Sequence, residues 1–174
     1  MSTLWYFAYG SNLDARTFVG RRRMQPRETR IGVLADFELR FDLLIGPGER
    51  GVANVVPCKG NEVWGVLYLL THQEAERLDR TEGVPHGAYQ RLVVEIQDAA
   101  GTLVNAFTYH SERGRAGRKP SRRYLGLLIS GALQHGLPAR YIQHLQGFPL
   151  AIDEREAQLP LFPPASTAVV RSED

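Results

Sequence analysis

Short strand-like segments separated by turn residues place the strongest constraint on the fold of this chain. Alternating apolar and polar residues, or short runs rich in Val, Ile and Phe, predict strands over 4–8, 30–44, 52–56, 63–70, 88–96 and 103–109. The longest of these segments is expected to form a half-buried pair of strands. Turn residues separate the segments at 46–48, 59–61 and 98–101. Consecutive strands with helical signals confined to a few places predict an α+β fold rather than a doubly wound sheet.

Capping residues mark where helices are expected to begin and end. Thr71 and Glu74 have the spacing of a capping box, which predicts a helix that begins after Thr71 and ends near Gly83. Near the N-terminus, Asn12 is predicted to cap a short helix over residues 14–19.

The last third of the chain is predicted to hold two helices and an extended tail. Ser121 is a candidate N-cap for a helix to about residue 135, and a break at 136–138 precedes a shorter helix. Prolines and small residues predominate afterwards. The expected organisation is therefore one domain over 1–150 and an extended, Pro-containing tail over 151–174.

Composition narrows the class of protein. The 174 residues carry a formal net charge of +2, which does not call for a nucleic-acid partner. No apolar run is long enough to span a bilayer, so no membrane partner is expected. The single cysteine, Cys58, excludes an internal disulfide and fits a cytoplasmic location. The five histidines lack metal-ligand spacing, so neither a metal nor another cofactor is expected. The oligomeric state, a homodimer included, stays open.

Residues 4–13 join a strand-like aromatic run to a turn. The run stops at Gly10, Ser11 and Asn12, residue types that turn a backbone and leave N–H groups free. Successive N–H groups can form a shallow positive concavity that binds a carboxylate or another anion. From the local pattern alone, a core strand followed by an ordinary loop is the more common arrangement.

The aromatic strand and the turn after it are the first of four segments whose residues and order in the chain are informative together. They are Tyr6-Phe7-Ala8-Tyr9-Gly10-Ser11-Asn12-Leu13, Asn61-Glu62-Val63-Trp64-Gly65-Val66-Leu67, Leu78-Asp79-Arg80-Thr81-Glu82-Gly83 with Tyr89, and Pro120-Ser121-Arg122-Arg123-Tyr124-Leu125. In this order, and over about residues 4 to 145, they resemble the gamma-glutamylcyclotransferase family. The resemblance implies a small, mostly antiparallel β-barrel with helices packed around it.

The resemblance also implies which residues form a site. The family has its catalytic glutamate in the stretch that contains Glu82, which makes Glu82 the predicted catalytic residue. Without the resemblance, a glutamate at a helix end is usually solvated and idle. The residues expected to bind substrate are Tyr6, Phe7, Ala8, Tyr9, Gly10, Ser11, Asn12, Tyr89 and Tyr124.

The implied reaction needs few catalytic groups. In a gamma-glutamyl amide, the α-amine can attack the γ-carbonyl of the same molecule, which yields 5-oxoproline and a free amine without a Ser or Cys nucleophile. One carboxylate can take a proton from the α-ammonium and give one to the leaving amine. In an apolar pocket such a group works near neutral pH, because desolvation disfavours its charged form. Glu82 is the predicted proton shuttle, and N–H groups over 9–12 are expected to hold the substrate.

Three interpretations of function stay open at this point. The leading one is a cofactor-free enzyme that acts on a small gamma-glutamyl amino acid or a related amine. The second is the same chemistry on an isopeptide lysine or an aminoglycoside intermediate. The motifs say little about the leaving half of the substrate, which is the amine released from the glutamyl group. The third is a non-catalytic binding module on the same barrel, against which the presence of Glu82 argues.

The remaining charged residues are given different roles. Asp79 and the run Arg21-Arg22-Arg23 are predicted to be solvated and to take no part in the reaction. The basic loop over 112–119 is predicted to cover the mouth of the site and to attract an acidic substrate.

Overall fold

A five-stranded barrel forms the body of the fold in the computed structural model, which describes residues 2–46 and 48–152. Its strands are β1 (Thr3–Ala8), β2 (Thr29–Leu44), β3 (Gly51–Thr71), β4 (Gln90–Asp98) and β5 (Leu103–His110). The order around the closed barrel is β1-β3-β2-β4-β5. Only the closing pair, β1 with β5, is parallel. The prediction of an α+β, mostly antiparallel barrel is confirmed.

Three α-helices pack around the barrel: α1 (His72–Thr81), α2 (Arg122–His135) and α3 (Ala139–Gln146). No helix within 2–46 and 48–152 is long and apolar enough to cross a membrane.

β2 and β3 are each continuous, whereas the sequence predicted a break in both. The predicted turn at 59–61 is a bulge within β3, opposite residues 35–37 of β2. Gly60 has φ +84°, and its N–H donates to a carboxylate oxygen of Asp36 at 2.8 Å. A bulge adds residues to one strand without ending it, so turn-type residues do not mark a strand end here.

Apolar side chains on the inner faces of the strands fill the barrel. Fully buried examples are Phe7, Val55, Val63, Leu67 and Ile96. Gly65 lets β1 and β3 come together, because a Cβ there would lie 2.3 Å from the Ala8 carbonyl oxygen. The close approach brings the end of β1 against the barrel wall and positions the turn that follows it.

The segment after β1 differs from the prediction. Residues Ser11–Leu13 form a 3₁₀ turn and Arg16–Arg21 a π-helix, in place of an α-helix over 14–19. Asn12 does not cap this helix, because its side-chain amide binds other partners. Asp14 takes the capping role instead, with its carboxylate accepting the Thr17 N–H at 3.2 Å.

α1 begins and ends where its capping residues predicted. The Glu74 N–H donates to Thr71 Oγ1 at 3.2 Å, and the Thr71 N–H donates to Glu74 Oε2 at 3.0 Å, which completes the capping box. The helix ends at Glu82, and Gly83 follows with φ +70°. A left-handed glycine directly after Glu82 stops the helix, and this keeps that carboxylate at the helix terminus.

We expect Thr71→Ala to lower the free energy of unfolding by about 1 kcal/mol, because the α1 cap is lost. Urea denaturation monitored by circular dichroism measures the change. Thr71→Ser keeps the hydroxyl and should recover most of the loss. If Thr71→Ala costs no more than the exposed substitution Thr3→Ala, the capping box does not stabilise this protein.

α2 and the chain after α3 also follow the local signals. The Tyr124 N–H donates to Ser121 Oγ at 3.1 Å, which confirms the predicted N-cap. Beyond α3, the Ala151 N–H donates to the Pro120 carbonyl at 2.9 Å and the Ile152 N–H to Glu49 Oε1 at 2.8 Å. These two residues of the predicted tail therefore stay on the barrel, and the rest of that tail, 153–174, lies outside the described residues.

Candidate active site

Glu82 lies where two cavities meet. The first, called here the inner recess, is lined by Tyr6, Tyr9, Gly10, Ser11, Asn12, Ala53, Glu82, Tyr89, Tyr109 and Tyr124. The second, called the outer cleft, has a volume of about 820 Å³ and is lined by Ser11, Thr17, Arg21, Arg22, Arg23, Ile45, Val52, Arg77, Thr81, Glu82, Tyr89, Tyr124 and Leu127. Both cavities share Ser11, Glu82, Tyr89 and Tyr124. They are two parts of one site with a carboxylate at the junction.

The inner recess brings together all the predicted site residues except Phe7 and Ala8. Those two residues are fully buried in the core and line neither cavity. Phe7 packs against the space that Gly65 leaves open. Their contribution to the site is thus to hold β1 in place.

The Glu82 carboxylate is held by two polar side chains. Asn12 Nδ2 donates to Glu82 Oε1 at 2.9 Å, and Arg22 Nη1 lies 2.8 Å from the same oxygen. The side chain of Glu82 is only 13% exposed. The sequence predicted an apolar pocket around this carboxylate, whereas the structure surrounds it with an amide, a guanidinium and phenols.

Asn12 has spare hydrogen-bonding capacity inside the recess. Its Nδ2 also donates to the Tyr6 hydroxyl at 2.8 Å, so both amide protons are used. Its Oδ1 is buried and has no hydrogen-bond partner among the described residues. A buried acceptor without a partner is costly, so a donor on a bound ligand would be stabilised here.

Two tyrosines are tied to the backbone of one β3 residue. The Tyr89 hydroxyl donates to the Ala53 carbonyl at 2.6 Å, and the Ala53 N–H donates to the Tyr124 hydroxyl at 3.2 Å. At Gly10, a Cβ would lie 3.3 Å from Ala53 Cβ and 3.4 Å from the Tyr124 hydroxyl oxygen. The turn after β1 therefore packs tightly against this wall.

Burial keeps the phenols of the recess protonated. It raises the pKa of Tyr124 to about 12, against the opposing effect of the hydrogen bonds from Ala53 and Ser11. It also raises the pKa values of Tyr6, Tyr9 and Tyr89 well above the usual value. These hydroxyls can donate hydrogen bonds but do not ionise near neutral pH. Within the described part of the chain, Glu82 is the only carboxylate that lines either cavity.

Comparison with known proteins identifies the family. A model of the AIG2-like family matches residues 62–145. The gamma-glutamylcyclotransferase of Mus musculus is 30% identical over 148 residues, which span 83% of this chain and 78% of the mouse protein. The chain belongs to the gamma-glutamylcyclotransferase family. The Homo sapiens member of the family is 30% identical over 145 residues, 81% of this chain and 76% of the human protein.

A solved structure of a gamma-glutamyl cyclotransferase agrees with this assignment. It superposes with a TM-score of 0.75 at 26% sequence identity and covers 86% of this chain and 89% of that chain. The predicted resemblance and the prediction of an enzyme of this class are therefore confirmed.

In this member of the gamma-glutamylcyclotransferase family, Arg22 lines the candidate site, and the sequence did not predict it. Its side chain is only 17% exposed, so it is not part of a solvated cationic face. Its guanidinium also donates to the Thr81 hydroxyl, next to Glu82. No local pattern distinguishes it from the two arginines beside it, and only the tertiary contact does.

Tyr109 and Asp79 form a second group that the sequence did not predict. Tyr109 lines the recess and its hydroxyl donates to Asp79 Oδ1 at 2.6 Å. Asp79 also accepts hydrogen bonds from Arg91 at 2.7 and 2.9 Å, so it is not merely solvated. Its position three residues before Glu82 on α1 puts both carboxylates on one helix face, and this spacing was visible in the sequence.

The basic loop over 112–119 does not line the outer cleft. It lies along the end of β2 and the β2–β3 connection. The Arg115 N–H donates to the Asp42 carbonyl at 2.8 Å, and Lys119 Nζ lies 3.0 Å from Glu49 Oε2. Residues 112–115 line a neighbouring cavity that shares Val52 and Tyr89 with the cleft. The cations around Glu82 come instead from Arg21–Arg23 and Arg77.

Proposed function

We infer that this protein is a gamma-glutamylcyclotransferase that converts a gamma-glutamyl amino acid, or a related gamma-glutamyl amine, into 5-oxoproline and the free amine. The observation that carries the proposal is the 2.9 Å hydrogen bond between Asn12 Nδ2 and Glu82 Oε1. It joins the turn after β1 to the end of α1, two motifs that lie far apart in the chain. A carboxylate next to a turn that can bind an anion is what the reaction requires.

In the proposed reaction, one bond forms and one breaks. The substrate's α-nitrogen attacks its own γ-carbonyl carbon, which closes a five-membered ring, and the bond from that carbon to the leaving nitrogen then breaks. Glu82 takes a proton from the α-ammonium and delivers it to the leaving nitrogen. The second proton that the α-nitrogen loses as it becomes the lactam N–H also passes to the departing amine, which leaves as an ammonium. An amine leaves poorly unless it is protonated, so both transfers are needed. Water is not consumed, and no side chain is needed as a covalent nucleophile.

The groups that line the inner recess suit the glutamyl half of the substrate. The recess itself has a volume of only about 30 Å³, so that half would bind at its mouth, against these groups. The unpartnered Asn12 Oδ1 can accept a hydrogen bond from the α-ammonium next to Glu82. The backbone of the turn at 9–12 can donate to the α-carboxylate or to the developing oxyanion. Protonated phenols, such as that of Tyr124, can donate as well. Such donors lower the barrier because they are fixed before the reaction begins.

Incubation with a panel of gamma-glutamyl amines tests the proposal. The panel holds gamma-glutamyl amino acids, an isopeptide-linked lysine and a gamma-glutamyl aminoglycoside, and chromatography measures both products. We expect 5-oxoproline and free amine in equal amounts, with the gamma-glutamyl amino acids as the best substrates. Release of glutamate would indicate hydrolysis instead, and turnover of the aminoglycoside alone would move the substrate class to the second interpretation.

A further inference from the structure

We propose that Arg21, Arg22, Arg23 and Arg77 form the leaving-group subsite and bind a carboxylate on the departing amine. These arginines would then account for a preference for gamma-glutamyl amino acids, whose leaving amine carries a free carboxylate beside the scissile amide. This inference rests on the proposed function and adds the residues that select the leaving half.

The outer cleft has an excess of positive charge. Four arginines line it, and Glu82 is the only acidic residue among its described lining residues. Arg22 is paired with Glu82 at 2.8 Å, so one cation is compensated. Arg77 is partly compensated by Glu74, which lies 4.0 Å away. The remaining charge is available to an anion that enters the cleft.

Several nitrogen donors of the cluster have no partner. Among the described residues, the side chains of Arg21 and Arg23 make no hydrogen bond or ion pair. The Nε atom of Arg77 is buried and has no hydrogen-bond acceptor in the same part of the structure. By contrast, Arg16, Arg40 and Arg140, elsewhere on the surface, each pair with a carboxylate. Guanidinium groups bind carboxylates through paired N–H donors, so the free donors in the cleft suit a carboxylate on a ligand.

The position of Glu82 decides which half of the substrate meets the arginines. Glu82 lines both cavities, and the groups suited to the glutamyl half lie in the recess. The leaving nitrogen must lie next to Glu82 to receive a proton. The substituent on that nitrogen then extends into the outer cleft, where Arg21, Arg23 and Arg77 lie. A leaving group with several ammonium charges would be repelled there.

Two substrates that differ in one group test the subsite. Gamma-glutamyl-alanine carries the carboxylate, and gamma-glutamyl-alaninamide replaces it with a neutral amide of almost the same size. We expect kcat/KM of the wild-type enzyme to be at least about tenfold higher for the acid, the scale of one charge-assisted hydrogen bond. This preference should shrink as ionic strength rises, because the cleft is open to solvent and salt screens its charges.

The double variant Arg21→Gln/Arg23→Gln assigns the preference to residues. Both side chains are exposed, so the fold should tolerate the change. We expect kcat/KM for the acid to fall toward that for the amide, so that the ratio of the two values approaches one. Arg123→Gln is the matched control, since Arg123 is exposed and lines neither cavity. It should keep the wild-type ratio.

The outcomes separate this inference from the function on which it rests. Equal rates for the two substrates in the wild type, or an unchanged ratio in the double variant, would overturn the arginine subsite and leave the cyclotransferase activity standing. If neither compound, nor any member of the panel above, yields 5-oxoproline, the proposed function fails. Calorimetric titration of both compounds into the wild-type protein then decides the subsite. At least about tenfold tighter binding of the acid supports it, and equal binding overturns it.

Discussion

Glu82→Gln is expected to reduce kcat by about 10²- to 10⁴-fold, the contribution of a positioned acid–base group. Gln has nearly the shape of Glu, and its oxygen can still accept from Asn12 Nδ2 and Arg22 Nη1. It cannot take up or release a proton, so both proton transfers are affected. The rate of 5-oxoproline release under saturating substrate measures the effect.

Glu76→Gln is the matched control for this variant. Glu76 lies on the same helix, α1, but it is exposed and lines neither cavity. The same change of charge there should leave kcat within about twofold, as expected for a surface substitution away from special features. Retention of more than about a tenth of the wild-type rate by folded Glu82→Gln would exclude Glu82 as the proton shuttle.

Ser11→Pro is expected to lower kcat/KM at least about a hundredfold, the scale on which loss of an oxyanion donor acts. Proline removes the N–H of Ser11 from the turn that we propose binds the glutamyl half. Ser11 lines both cavities together with Glu82 and Tyr124. Steady-state kinetics with gamma-glutamyl-alanine measures the effect.

Ser11→Ala separates the backbone from the hydroxyl. It keeps the N–H and removes only the side-chain oxygen, so we expect a loss of about tenfold or less, the scale of one neutral hydrogen bond. Circular dichroism and thermal melting must first show that both variants are folded. Equal losses in two folded proteins would mean that the hydroxyl rather than the N–H group binds the substrate.

Features that depend on residues close in the chain could be predicted from the sequence. Thr71 and Glu74 form their capping box, Ser121 caps α2, and Gly83 ends α1 directly after Glu82. Each of these interactions joins groups within one or two helical turns, so a short sequence window contains all the participants. The prediction from local sequence was wrong where the same residues can adopt two different backbone structures. Residues 59–61 can form a turn or a bulge, and only pairing with β2 selects the bulge.

Most residues of the candidate site were named because family motifs contain them, not because the physical chemistry of short segments distinguishes them. Tyr6, Asn12, Tyr89 and Tyr124 were named from motifs and do line the recess. Phe7 belongs to the same motif, yet it is buried in the core. A motif marks residues that occur together and does not say which side of a strand each one faces.

The sequence by itself determined the caps of α1 and α2, the approximate positions of the strands and the placement of Glu82 at the end of a helix. Only the tertiary structure decided which side chains surround that carboxylate. Asn12 meets Glu82 because β1 pairs with β3 and α1 continues directly from β3, so the turn after β1 lies beside the end of α1. Arg22 is distinguished from its two neighbours by burial and by its 2.8 Å ion pair with Glu82. Such contacts join residues that are distant in the chain, and their energies depend on desolvation and geometry that exist only once the barrel has formed.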